Sequence, residues 1–207
     1  MTGLRDRKKQ LTRESLLRAA LELFTSQGYG ATTVDEIAGA VEVSQRTFFR
    51  YFASKEDVAF AVVDLVESTF VDALRARPAG EGPFEAMRNA VATAWESMAD
   101  TIESAVPMEL YMASFRMVES TPELLAAHLR RSAELEETVA RLIAERQGLD
   151  LDTDVRPRVA VAAFTGVVRA TSRIWGRGEE CTLAELGRLT VACLEQLTPR
   201  LLTDDWR

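Results

Sequence analysis

One histidine, two cysteines and three lysines occur in 207 residues. With His128 as the only imidazole, a Ser-His-Asp hydrolase or a Cys-His protease would have to be built on that residue, and a His-rich metal site is excluded. Cys181 and Cys193 are too few for a disulfide framework, so a reducing cytoplasm is the expected compartment. No apolar run approaches the ~20 residues that a membrane-spanning helix needs. The charged start MTGLRDRKKQ is followed by no apolar h-region, so neither a secretory signal nor a membrane partner is expected. The strings of a P-loop, a G-x-G-x-x-G turn and an H-E-x-x-H helix are all missing. Glu136-Glu137 and Glu179-Glu180 are carboxylate pairs, but adjacent helix residues do not face one another. No enzyme, cofactor or metal is expected from this inventory.

Proline is absent before residue 78, and Gly39 is the only glycine between Ala31 and Arg77. Lysine is absent after residue 55. The net charge of -7 hides this asymmetry: residues 1–60 carry nine basic and eight acidic side chains, the remainder sixteen and twenty-four. Five of the basic residues (Arg5, Arg7, Lys8, Lys9, Arg13) lie in the first thirteen positions. A basic segment 1–11 before an acidic body reads either as an arm for a polyanion or as a solvated tail.

Helical periodicity dominates the rest. Leu17, Ala20, Leu21 and Phe24 form a core-facing stripe, predicting a helix from about Arg13, capped by Thr12, to Gln27. Thr33-Val34-Asp35-Glu36 is a capping box, and Val34, Ile37, Ala38 and Val41 give the next helix an inward face. Ser44 caps a third helix over about 45–51. Ser54-Lys55-Glu56-Asp57 starts a fourth, carrying Val58, Val62, Leu65, Val66 and Phe70 inward and reaching about Arg77. Pro78 to Pro83 is a linker. Beyond it, helices are expected near 83–103, 107–118, 121–147, 154–176 and 182–198, with prolines in first turns and Gly176-Arg177-Gly178 as a stop. The expected fold is all-α: a three-helix head at 12–55, a connecting helix 55–77 and a larger helical body at 83–207.

The second and third helices meet at a short turn, Val41-Glu42-Val43-Ser44. Phe48 and Phe52 can point inward while Gln45, Arg46 and Phe49 share the outer face. This is a helix-turn-helix arrangement, in which the second helix enters the major groove of double-stranded DNA. Gln suits adenine and Arg suits guanine through paired hydrogen bonds. Thr47, Tyr51 and Lys55 suit the phosphates, as do the helix starts at Thr33, Ser44 and Ser54, and Arg50 on the same helix can take over anchoring that Phe49 lacks.

The strings Ala19-Ala20-Leu21-Glu22-Leu23-Phe24, Gly28-Tyr29, Ala31-Thr32-Thr33-Val34, Ile37-Ala38, Val43-Ser44, Thr47-Phe48-Phe49-Arg50-Tyr51-Phe52 and Ser54-Lys55-Glu56 together resemble the TetR family of bacterial transcription regulators. The likeness spans roughly residues 12–62. It implies an all-helical homodimer that binds a pseudo-palindromic operator through its N-terminal domain. It also implies a C-terminal domain in which a small molecule binds and releases the DNA. Gln45, Arg46 and Phe49 fall on the family's base-contacting places. Thr33, Thr47, Tyr51 and Lys55 fall on its phosphate-contacting or capping places. Two residues depart from the pattern. Glu42 stands where glycine is usual, and Phe49 where tyrosine is common. The Arg-Thr-Phe-Phe-Arg-Tyr-Phe form weakly resembles a branch with acyl-CoA-like ligands.

The body is rich in soft apolar groups. Trp95, Met98, Tyr111, Met112, Phe115, Phe164 and Trp175 are candidates for lining an effector cavity, or form an ordinary core. Tyr111, Arg116, His128 and Arg169 are candidate polar anchors. The last two helices carry small residues (Ala160, Ala163, Gly166, Ala170) and a leucine-rich face (Leu183, Leu186, Leu189, Leu194, Leu197), and are the expected homodimer surface. An all-helical dimer that acts through protein contacts, or an enzyme, is the alternative to a DNA-binding regulator.

Overall fold

The computed structural model describes residues 3–175 and 182–196. Among these residues the chain forms helices and no strands: α1 Leu4–Gln27, α2 Val34–Ala40, α3 Gln45–Phe49, α4 Lys55–Arg75, α5 Pro83–Ala105, α6 Met108–Ser120, α7 Pro122–Gln147, α8 Arg156–Trp175 and α9 Leu183–Glu195. The cap residues place most of these starts where the sequence predicts. Thr33 accepts the Glu36 N–H while the Glu36 carboxylate accepts the Thr33 N–H, a complete capping box. Ser44, Ser54 and Thr182 each accept an N–H three residues on. Cys181, Leu197, Glu179-Glu180 and Gly176-Arg177-Gly178 lie outside the described residues.

The first helix differs. It starts at Leu4, not at Arg13, so the stretch expected to be a separate basic arm is its opening turns. Residues 4–11 contain Leu, Arg, Lys and Gln, strong helix formers, with no glycine or proline to interrupt them. Thr12 caps nothing; its hydroxyl donates to the Lys8 carbonyl, four residues back. The third helix is also shorter than expected, ending at Phe49.

The chain divides into two compact units, Met1–Glu67 with Met98–Leu129, and Ser68–Ser97 with Arg130–Arg207. In the first, α1 packs on α2 and α6, and α2 packs on α3. Leu16, Leu17, Ala20, Leu21 and Phe24 bury the predicted stripe of α1, alongside Ile37, Phe48, Phe52, Val58 and Phe60. Each large side chain so buried contributes about 1.5–3 kcal/mol. Leu65 departs from its expected inward position and is exposed, at the edge of a cavity shared with Leu17, Phe52 and Ala61. In the second unit, Leu74, Met87, Ala90, Val139, Ile143, Val161, Phe164 and Leu194 form the core. Phe70 stacks on Phe164 with ring centroids 6.3 Å apart. α8 and α9 pack against each other, with Thr171 and Thr190 hydroxyls sharing a buried hydrogen bond of 3.3 Å. The linker after α4 is pinned: Arg146 donates to the Arg77 and Pro78 carbonyls, and Glu81 accepts from Arg77 and Asn89.

Candidate nucleic-acid interface

Three aromatic rings hold α3 in place. Phe48 is fully buried and packs edge-on to Phe49 at 5.4 Å and against Phe52 at 5.7 Å. The Arg13 guanidinium lies over the Phe52 ring, 5.0 Å from its centroid. With Phe48 facing in, helical spacing turns the opposite face out. Gln45, Arg46 and Phe49 are all exposed, and Phe49 keeps 51% of its surface open. A large aromatic left this far in water on a short helix needs another surface to account for it.

The start of α3 is built from hydroxyls. Ser44 Oγ accepts the Thr47 N–H at 3.2 Å and lies 3.1 Å from Thr47 Oγ1. This fixes the helix N-terminus beside Gln45 and Arg46. At its other end Arg50 folds over the Tyr51 ring, 5.0 Å from the centroid, and donates to its hydroxyl at 3.3 Å. Arg50 and Tyr51 thus form one polar unit at the edge of the exposed face.

The turn before α3 is a Schellman motif. The Val43 N–H reaches the Ala38 carbonyl at 2.9 Å, and the Glu42 N–H reaches Gly39 at 3.0 Å. That geometry puts the residue between them in the left-handed region. Glu42 sits there with φ 55°, the only non-glycine at positive φ among the described residues. The departure noted in the sequence therefore leaves the turn intact and strains the glutamate.

Lys55 is placed differently from the expected phosphate contact. Its ammonium turns inward, donating to the carbonyls of Tyr29 at 2.7 Å and Thr32 at 3.0 Å, and lies 4.1 Å from the Tyr29 ring centroid. Two of its three protons are thus committed to the α1–α2 connection. The sequence offered no sign of this, since partners 26 and 23 residues away are set by the fold. Thr33 likewise spends its hydroxyl on Glu36, and these bonds from the Thr33 N–H and hydroxyl hold the Glu36 carboxyl below its ordinary range.

The candidate effector residues are spread over both units. Trp95, Phe164 and Trp175 belong to the second unit. There Trp95 lies against Gly187, Phe164 stacks on Phe70, and the Trp175 indole donates to the Thr182 carbonyl at 2.9 Å. Arg169 pairs with Glu136 at 3.2 Å, and Arg116 is exposed. Met98 and Met112 fall in the first unit, where Met112 is buried. Tyr111 and Phe115 share a cavity of about 80 Å³ with His128. Its other walls are Leu21 of α1, Ala59, Val62 and Val63 of α4, and Ser114, Val118 and Glu119 of α6. The His128 ring stacks on Phe60 with centroids 6.2 Å apart.

Among the described residues no helix is long and apolar enough to cross a membrane, and no cluster of three or more His, Cys, Asp or Glu could hold a metal ion.

Comparison with known proteins accords with this geometry. Residues 16–62 match the family described as bacterial regulatory proteins, tetR family, and residues 81–201 match the MftR C-terminal domain. The chain is 48% identical over 205 residues to the HTH-type transcriptional regulator TcmR of Streptomyces glaucescens, covering 99% of this chain and 90% of that protein. It is 29% identical over 192 residues to the transcriptional regulator MftR of Mycobacterium tuberculosis strain H37Rv, covering 86% and 87%. A crystal structure of a transcriptional regulator from Aquifex aeolicus VF5 shares the fold, with a TM-score of 0.54 at 15% identity over 90% of this chain and 99% of that one. These relatives regulate transcription and are not enzymes. The chain belongs to the TetR family of bacterial transcriptional regulators, which bind DNA operators as dimers.

Proposed function

We propose that this regulator represses its target genes by inserting α3 of each protomer into successive major grooves of a pseudo-palindromic operator. The observation that carries the reading is the face of Gln45, Arg46 and Phe49, exposed on a helix whose opposite side is fixed by the buried Phe48. Gln45 and Arg46 read base edges. Phe49, lacking a hydroxyl, packs on a thymine methyl or a sugar. Ser44, Thr47, Arg50 and Tyr51 hold the register through phosphates, while Thr33 acts by capping α2. Lys55 contributes by fixing the α1–α2 connection. The residues from Leu4 to Thr12 extend the basic N-terminal end of the DNA-binding domain, which occupies roughly 12–55. The remainder from 83 is the effector and dimer domain.

The homodimer forms through α8 and α9. Val159, Ile174 and Val191 are exposed apolar residues on these helices, and Ala163, Gly166 and Ala170 allow close approach of a second copy. A small apolar or amphipathic effector favours a conformation of the dimer whose two α3 helices no longer match the half-site spacing. A coupling of about 1–3 kcal/mol changes operator affinity 5–150-fold. The protein works in the cytoplasm, where its DNA is. A gel shift of the full chain against its own upstream region, repeated across salt concentrations, tests the reading. Specific retardation that weakens with salt supports it; indifference to DNA at low salt refutes it.

A further inference from the structure

We propose that the cavity walled by α1, α4, α6 and α7 binds an uncharged, largely apolar molecule bearing a carbonyl oxygen, which accepts a hydrogen bond from the Tyr111 hydroxyl. The walls are hydrocarbon over most of their area, from Leu21, Ala59, Val62 and Val118. None of these side chains can accept a proton. The Ser114 hydroxyl faces the same space but has committed its proton to the Leu110 carbonyl at 2.8 Å. Tyr111 is half-buried where it lines the cavity, and its hydroxyl has no hydrogen-bond partner among the described residues, so its proton is available to a guest. Burial, and then the carboxylate of Glu67, push its pKa up to about 12, so it stays a donor at any physiological pH. Glu67 and the exposed Glu119 beside the cavity disfavour an anion. The hydrocarbon walls disfavour a cation.

The size of the space adds a consequence. At about 80 Å³ it is smaller than the ~150 Å³ dry cavity that admits benzene, so an aromatic guest must push a wall outward. One wall is Leu21, on the helix α1 that forms the core of the DNA-binding head, and α1 packs directly on α6. Occupation is therefore coupled to the head without passing through the rest of the body. This deepens the effector reading and rests on it for the effect at the operator.

The probes are acetophenone, toluene, benzoate and benzylamine, titrated against the full chain by calorimetry. Acetophenone should bind about fivefold tighter than toluene, the factor supplied by a net hydrogen bond of about 1 kcal/mol. In Tyr111→Phe that preference should vanish while toluene binding persists. Ala59→Leu, which fills the space without altering Tyr111, should abolish binding of both. A ketone preference that survives Tyr111→Phe, tighter binding of either charged probe, or no binding of any probe overturns the assignment. With acetophenone saturating, a gel shift should show operator affinity reduced at least fivefold. Unchanged operator affinity overturns the coupling through α1. A protein that takes acetophenone through Tyr111 but retards no DNA upholds the cavity and refutes the regulator reading instead.

Discussion

Glu42 and Gly148 occupy the same position in two Schellman motifs. At the end of α7, the Leu149 N–H reaches Ala144 and Gly148 takes φ 64° freely. At the end of α2, Glu42 takes φ 55° with a Cβ in the way. A side chain costs roughly 1 kcal/mol there. Glu42→Gly should therefore raise the melting temperature by about 2–4 °C in a chain of this size; a fall would show that the glutamate makes a compensating contact. Lys55 yields a second prediction at this scale. Losing a phosphate contact flattens the salt dependence of binding by about one unit and leaves the fold intact. Losing the bonds to Tyr29 and Thr32 instead leaves two carbonyls short and loosens the α1–α2 connection. Lys55→Met should lower the melting temperature and weaken binding to all sequences alike, with little change in salt slope. A full unit lost from the slope at unchanged stability would return Lys55 to the phosphates.

Elements were legible from sequence where a local chemical signal marks them. Thr33, Ser44, Ser54 and Thr182 announce helix starts because their hydroxyls satisfy N–H groups three residues away. The buried stripe of α1 follows from its spacing alone. The start of α1 was missed because Thr12 is as good a cap in sequence as Thr33, and the difference lies in what precedes it: residues 4–11 already favour helix. Contacts between distant elements left no such signal. Trp95 against Gly187 is one: a Cβ at 187 would stand 3.2 Å from the indole ring. Gly187→Val should displace the ring and destabilise the second unit by about 1–3 kcal/mol through overpacking. Tryptophan fluorescence and thermal melting report this, and an unshifted spectrum with a raised melting point would contradict it. The linker between α4 and α5 makes a further prediction. The Arg77 guanidinium, with help from Asn89, holds the Glu81 carboxyl at about 2, below its ordinary 4.5. A depressed carboxyl stabilises the fold above its unfolded pKa and loses that contribution as pH falls through the folded value. Glu81→Gln should therefore be less stable than wild type at pH 7, with the gap narrowing below about 4.5 and closing near 2. A constant gap in denaturant melts across that range would assign the loss to packing.

For the molecule as a whole, the exposed face of α3 was readable in the sequence and the cavity beside Tyr111 was not. The head uses short-range rules: caps, a tight turn and two phenylalanines four residues apart put Gln45, Arg46 and Phe49 outside. A cavity is a property of several helices at once, and composition cannot say which walls meet. Hence Tyr111 and Phe115 share the cavity with His128, while Phe164 packs in the core of the second unit. The central claim remains the pairing of two α3 helices with duplex DNA, and one selection from a random duplex library tests it most directly. Wild type should enrich a pseudo-palindrome whose half-sites lie about 34–36 Å, or a multiple of that, apart. Arg46→Ala should bind it about 1–3 kcal/mol more weakly and lose discrimination at one base pair in each half-site. An enriched sequence without twofold symmetry, or an Arg46→Ala profile identical to that of wild type, would contradict the account.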